Sequence, residues 1–176
     1  TIPDHQINNP WESCITLTYD WGWTSHPVFK SPAKVIATLT EIVAKGGSLL
    51  LGVGPTPEGL IEDGAVEILQ RIGQWLNANG EAIYATVTTP IYNNGDRTVW
   101  FTANKDGKHL YAIITQDDAK PLPASVTWEG NTPLKGSKII NLATGKKVKY
   151  VVKDNKTTVF LPNATDGIAL KIKIRK

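Results

Sequence analysis

Residues 48–53, Ser-Leu-Leu-Leu-Gly-Val, form a short, continuously apolar run held between Gly46-Gly47 and Gly54. Nothing in the run alternates with polar residues, so it reads as a strand buried on both faces, as in a parallel sheet. Its flanks agree with that reading. Upstream, Val35, Ile36, Leu39, Ile42 and Val43 fall on one face of a helix expected over 33–45. Ser31-Pro32 supplies an N-cap and a proline at the first helical position, and Gly46-Gly47 stop the helix. Downstream of a turn-rich loop over 54–63, Val66, Leu69, Ile72, Trp75 and Leu76 mark a second helix over 64–79, ended by Gly80. Helix, buried strand, helix is the order of an α/β fold. One parallel strand is too little for a complete one, and the rest of the chain does not supply its neighbours. The first half therefore reads as the end of something larger.

The second half follows a different rule. Val99–Ala103, Leu110–Thr115, Ser125–Trp128, Lys138–Leu142, Lys147–Val152, Thr157–Leu161 and Ile168–Ile174 are short β-prone runs separated by turn signals such as Asn93-Asn94-Gly95 and Lys105-Asp106-Gly107. That spacing predicts an antiparallel β-sandwich. A further short strand is expected over Cys14–Tyr19, inside an otherwise loop-rich, aromatic opening segment.

Charge divides the chain at nearly the same place. Residues 1–96 carry a net −6 and residues 97–176 a net +9, which the overall +3 conceals. Many of the lysines alternate with apolar residues, as in Leu170-Lys171-Ile172-Lys173-Ile174, which places them on the wet face of strands and argues against nucleic acid as a partner. No apolar run approaches the roughly 18 residues of a membrane span, so no membrane insertion is expected. The single cysteine, Cys14, excludes an internal disulfide and a Cys-rich zinc site, and without a base at a recognisable spacing it reads as a buried or inert thiol. His5, His26 and His109 share no metal-ligand spacing, so no metal is expected. The chain holds no Met and begins at Thr1, which fits either processing or a piece of a longer polypeptide.

Chemistry concentrates in the opening segment. Trp11-Glu12 and Tyr19-Asp20-Trp21-Gly22-Trp23 set carboxylates beside large flat rings. Sugar recognition uses that combination, with rings against the apolar C–H faces of a pyranose and acids on its hydroxyls. The same tryptophans would also serve as core residues at a domain junction. Gly52-Val53-Gly54-Pro55-Thr56-Pro57 lacks both the third glycine of a dinucleotide fingerprint and the Gly-Lys-Ser/Thr ending of a P-loop. Glu58 in that loop reads as a solvated acid.

Four ordered motifs resemble one family. Trp11-Glu12-Ser13-Cys14, Trp21-Gly22-Trp23, the stretch from Lys45-Gly46-Gly47 through Gly54-Pro55, and Trp75-Leu76-Asn77-Ala78-Asn79-Gly80-Glu81-Ala82-Ile83-Tyr84 are similar to the C-terminal part of family 29 glycoside hydrolases, the α-L-fucosidases. The match covers about residues 1–86, and the β half resembles that family's C-terminal sandwich in pattern and position. The resemblance implies a fold class of α/β barrel remnant, the last βα elements of a TIM-like barrel, followed by an all-β antiparallel sandwich. The division is expected at 1–88 for the barrel part and 89–176 for the sandwich.

The activity implied is retaining exo-hydrolysis of terminal α-L-fucosides through a covalent fucosyl-enzyme intermediate, without a cofactor. The partners implied are fucosylated glycans and an upstream barrel segment of the same protein, in a periplasmic or secreted setting. In the family the aspartate nucleophile lies on a barrel strand upstream of the Trp-Glu motif, outside this chain, so these residues alone are expected to be inactive. Glu12 matches the motif's own glutamate and stands as an active-site carboxylate and acid/base candidate. In several members, though, the acid/base comes from a loop ahead of that motif. Trp21 matches an aromatic position lining the fucose pocket, and Trp23, where the family usually has tyrosine, is carried with it as substrate-binding. Ser48 and Gly52 stand where the family often has Asn. The alternative function is a noncatalytic carbohydrate-binding module on the β half, for which Trp100, Tyr111 and Trp128 are the aromatics in potentially useful places. A charge-split linker domain is a third option.

Overall fold

The computed structural model describes residues 1–116 and 120–175. Its first half is a β-α-β-α unit: β1 (Glu12–Thr16), α1 (Pro32–Ala44), β2 (Ser48–Gly52) and α2 (Asp63–Asn79). The buried-strand run has a parallel partner after all. β1 pairs with β2 in parallel from Glu12 opposite Ser48 to Thr16 opposite Gly52. The short strand expected over Cys14–Tyr19 lies at Glu12–Thr16 and is that partner; with Glu12, Ser13, Cys14 and Thr16 around the one large apolar residue, Ile15, its composition does not signal a parallel pairing.

The expectation that 48–53 is buried on both faces does not hold within this chain. Leu49 and Leu51 are half-buried on the helix side, whereas Leu50 is 50% exposed. Register puts Glu12, Cys14 and Thr16 on the same open face as Ser48, Leu50 and Gly52. Cys14 is exposed there rather than buried.

Local chemistry accounts for α1. Ser31 Oγ accepts the Lys34 backbone N–H at 3.1 Å, and Pro32 opens the helix. At the other end Gly46 takes φ +85°, its N–H donates to Val43 O and the Gly47 N–H donates to Ile42 O, a Schellman closure. Gly47 also leaves room for Trp11, since a Cβ there would lie 2.4 Å from the indole. Lys45 is fully buried with its charge matched: its Nζ meets Glu41 Oε1 at 2.5 Å and Pro3 O at 2.6 Å, and lies 5.6 Å from the Trp100 ring centre. The Lys-Gly-Gly motif is thus an ion pair, a cap and a ring seat in succession. Helix α2 does not end in a left-handed glycine. Gly80 has φ −62° and the chain runs on into a 3₁₀ turn over Gly80–Ala82, where a Cβ at Gly80 would strike the Tyr84 ring.

From Thr86 onward the described residues hold nine strands where the sequence suggested seven. They are β3 (Thr86–Val87), β4 (Val99–Asn104), β5 (His109–Ile114), β6 (Ser125–Glu129), β7 (Ile139–Asn141), β8 (Lys147–Val148), β9 (Tyr150–Lys153), β10 (Lys156–Phe160) and β11 (Ile168–Lys173). One sheet has the order β3-β4-β5-β11-β7-β8 and the other β6-β10-β9. Every pairing in the two sheets is antiparallel. The predicted run 147–152 is split at Lys149: β8 pairs with β7 in the large sheet and β9 with β10 in the small one.

Phe101, Leu110, Ile114, Trp128, Val159 and Leu170 are among the residues filling the space between the sheets, with Phe101 and Trp128 meeting edge to face at 5.5 Å. The other face of the large sheet is covered as well. Tyr111, Ile113 and Ala169 pack with Val35, Ile36, Ile72 and Trp75 of the helices. Polar groups tie this junction together. Trp75 Nε1 donates to Gly167 O at 3.0 Å, Thr102 Oγ1 to Ala82 O at 2.7 Å, and Arg71 grips Asp166 with two bonds of 2.6 and 2.9 Å. Lys171, read as a solvated strand lysine, instead reaches Glu81 at 2.7 Å, and Tyr111 donates to the same carboxylate at 2.8 Å. The Lys171 ammonium, and then the Tyr111 hydroxyl, hold Glu81 below the usual carboxylate range despite partial burial. Burial, and then Glu81, push the Tyr111 phenol up.

Candidate functional site

Because β1 and β2 run in parallel and end in register at Thr16 and Gly52, the loops that follow them leave the same end of the sheet. The loop after β1 is long and tied at its base. Lys30 N–H donates to Leu17 O at 2.8 Å, and Thr18 bridges Phe29. Thr16 Oγ1 donates to Thr18 O at 2.8 Å and Thr18 Oγ1 to Asp20 O at 2.9 Å. The Lys30 ammonium turns inward, donating to Thr16 O at 2.6 Å and to Thr18 O, with its charge 4.7 Å from the Tyr19 ring centre. Burial, with Lys34 nearby, pushes this ammonium below the usual lysine range.

With its base fixed, the loop presents its tip to solvent. Tyr19 is 67% exposed and Trp21 78% exposed, with Asp20 exposed between them. Large rings left this open need explanation, because one Trp normally hides most of its surface. Trp23 is less free: its Nε1 donates to Glu62 Oε1 at 3.1 Å, at the start of α2. The loop also rests backbone to backbone on the one after β2. A Cβ on Gly54 would lie 2.7 Å from both Gly22 C and Trp23 N, so only glycine lets the two loops meet this closely.

The geometry brings Trp21 and Trp23 together but separates them from Glu12. Glu12 is the first residue of β1 and is exposed on the open face. The strand rises about 13 Å from Glu12 to Thr16 before the aromatic loop begins. Among the described residues no hydrogen bond or ion pair engages the Glu12 carboxylate. Glu58 is an exposed loop acid, His26 meets Ser25 at 3.0 Å, and His109 lies on β5 beside Asn104. No group of three metal-ligating side chains occurs among the described residues. Trp100, Tyr111 and Trp128 are each only 2% exposed, so none offers a ring to a sugar.

Three contributors escaped the sequence reading: Lys30, Glu62 and the Gly22–Gly54 contact. A lysine just ahead of an N-cap looks solvated, and its inward turn depends on carbonyls that only the folded loop presents. The Gly54 contact has a partial signal in the glycine-rich run, whose pattern fits neither phosphate loop.

Comparisons with known proteins fit this arrangement. A family model described as Alpha-L-fucosidase matches residues 1–81. The plasma α-L-fucosidase of Rattus norvegicus is 35% identical over 117 residues, which is 64% of this chain and 26% of that protein. The chain thus spans about a quarter of the length of the curated relatives it matches. Among solved structures, α-L-fucosidase isoenzyme 1 from Paenibacillus thiaminolyticus superposes with a TM-score of 0.81 at 28% identity, covering 100% of this chain and 44% of that one. A family 29 α-L-fucosidase of Bacteroides thetaiotaomicron, trapped as a covalent intermediate, superposes with a TM-score of 0.79 at 22% identity, over 100% of this chain and 42% of its own. No helix among the described residues is long and apolar enough to cross a membrane. The motifs, the fold and the relatives converge: residues 1–81 match the α-L-fucosidase family, and the chain as a whole is similar to a portion of its members.

Proposed function

We propose that the protein carrying this chain is a retaining exo-α-L-fucosidase, in which β1, α1, β2 and α2 are closing elements of a (β/α)8-like barrel over residues 1–88. The sandwich is then residues 89–176 together with β3 (Thr86–Val87), which pairs with β4 at the end of the proposed barrel part. The observation that supports this most is the open face of β1–β2. Leu50, central in an apolar strand, is half exposed beside Cys14, while the opposite face is covered by helices. A barrel buries that face under the side chains of its other strands and puts its active site at the C-terminal strand ends. Those are the ends from which Trp21 projects.

In this reading Trp21 presents its apolar face to the methyl side of a fucosyl ring, and Trp23, held by Glu62, shapes the wall beside it. Retention requires a nucleophile and an acid/base about 5–5.5 Å apart. The nucleophile lies outside this chain. Glu12 sits at the opposite end of β1 from the aromatic loop, which weighs against the acid/base role allowed by the resemblance and favours a residue outside the chain for that step too. The substrates are fucosylated glycans, the reaction needs no cofactor, and a secreted or periplasmic setting fits such substrates. Buried Trp100, Tyr111 and Trp128 remove the aromatic basis of the module reading.

The test is hydrolysis of an aryl α-L-fucoside by the whole protein, followed by proton NMR of the first-formed sugar. The α-anomer is expected first, and β-fucose first would contradict retention. The 176-residue chain alone is expected to release no aryl alcohol. Glu12→Gln in the whole protein discriminates further: an acid/base role predicts a loss of about 10²–10⁴-fold, whereas the geometry predicts a loss of less than about tenfold.

A further inference from the structure

We infer that the free edge of the sandwich, where the chain crosses between sheets at Lys149, is a binding site for a sulfated saccharide, separate from the fucose site. Two adjoining clefts open there, of about 390 and 640 Å³, sharing Lys147, Val148, Lys149 and Phe160. The floor is apolar: Val148 and Leu161 are half-buried, and Phe160, at the end of β10, leaves 49% of its surface in water. Val151, one strand over on the same outer face of the small sheet, is 55% exposed.

The rim is basic. Lys138, Lys146, Lys147 and Lys149 are all exposed, and none of them makes an ion pair among the described residues. They contrast with Lys45 and Lys171, whose charges are matched by Glu41 and Glu81. No acidic side chain among the described residues lines either cleft. Four unmatched ammonium groups around an aromatic and aliphatic floor favour a ligand with fixed negative charges on a ring that has apolar C–H faces. A saccharide carrying sulfate esters has both. A neutral glycan would leave the charges unused, and duplex nucleic acid, with its bases stacked inside the helix, would leave the apolar floor unfilled. The net +9 of residues 97–176 adds long-range attraction of the same sign.

The test is calorimetric titration of the whole protein with dextran sulfate oligosaccharides, and with uncharged dextran and duplex DNA of matched length. Dextran sulfate is expected to bind, more weakly as salt rises, and dextran not to bind. Lys147→Glu/Lys149→Glu is expected to weaken binding about tenfold or more, and Phe160→Ala about fivefold. Lys138→Glu/Lys146→Glu provides a second reversal should the first pair fail to fold, and thermal melting of each variant checks folding. Absence of binding, or affinity unmoved by a folded charge reversal, overturns the inference. It is equally overturned if DNA binds as tightly as dextran sulfate and Phe160→Ala leaves both unchanged.

Discussion

Strands β2 and β5 look alike in sequence and differ in the molecule. Both are continuously apolar over their centres, Leu49-Leu50-Leu51 in one and Leu110-Tyr111-Ala112-Ile113-Ile114 in the other. β5 is buried on both faces because this chain supplies both covers. The small sheet lies over Leu110, Ala112 and Ile114, and the helices lie over Tyr111 and Ile113. β2 has the helices on one side only, and Leu50 stands half exposed on the other. An apolar run states how many covers a strand needs; it does not state whether the same stretch of chain provides them. The aromatic loop beyond β1 belongs with the uncovered strand, and the functional proposal rests on that association.

The largest effect is expected at the cover of β5. Trp75→Ala removes a nearly buried indole, along with its bond to Gly167, and is expected to destabilise the chain by about 3–5 kcal/mol in chemical denaturation. A loss below 1 kcal/mol would mean that the helices do not cover the sheet as described. Ile113→Ala and Leu50→Ala then compare the two strands directly. In the 176-residue chain the first is expected to cost about 2–5 kcal/mol and the second less than about 1 kcal/mol. Equal costs would remove the contrast. Gly54→Ala drives a methyl into the Gly22–Trp23 backbone, with an expected cost of about 1–3 kcal/mol. In the whole protein it should raise KM for an aryl fucoside, and an unchanged KM would detach the aromatic loop from substrate binding.

The smallest effect is electrostatic. Glu81 is held below its ordinary range when folded, so its contribution is present above the unfolded glutamate pKa, near 4.3, and is lost as pH falls through the lower folded value. Glu81 is 49% exposed, and solvent screening keeps this contribution small. Glu81→Gln should therefore flatten the acid limb of the stability curve below about pH 4 and leave its slope near neutrality unchanged. An unchanged acid limb would show that the Lys171–Glu81–Tyr111 cluster adds nothing to stability.

Much of this was legible in the residues, for identifiable reasons. Helix α1 announced itself through Ser31, Pro32 and Gly46, each acting on its own stretch of backbone. The sandwich strands showed because their turns carry glycine and asparagine where left-handed backbone is needed, as at Gly107 and Asn155. What stayed hidden depends on distant partners. The two-residue strand β3 exists through its pairing with Asn104 and Ala103, and the switch at Lys149 reflects which sheet has a free edge. At the site, Trp21 was identified by type and motif. Its distance from Glu12 was not, because adjacency in a motif conceals that a whole strand separates the two.

If the open face of β1–β2 is the inner wall of a barrel, as proposed, the whole protein must cover it. Cys14, the one thiol of the chain, sits on that face beside Leu50. Its labelling by a thiol reagent under native conditions, followed by mass spectrometry of the peptide that carries it, reads the cover directly. The account predicts ready labelling in the folded 176-residue chain and protection until unfolding in the whole protein. Equal, ready labelling in both would leave the face uncovered and contradict the barrel.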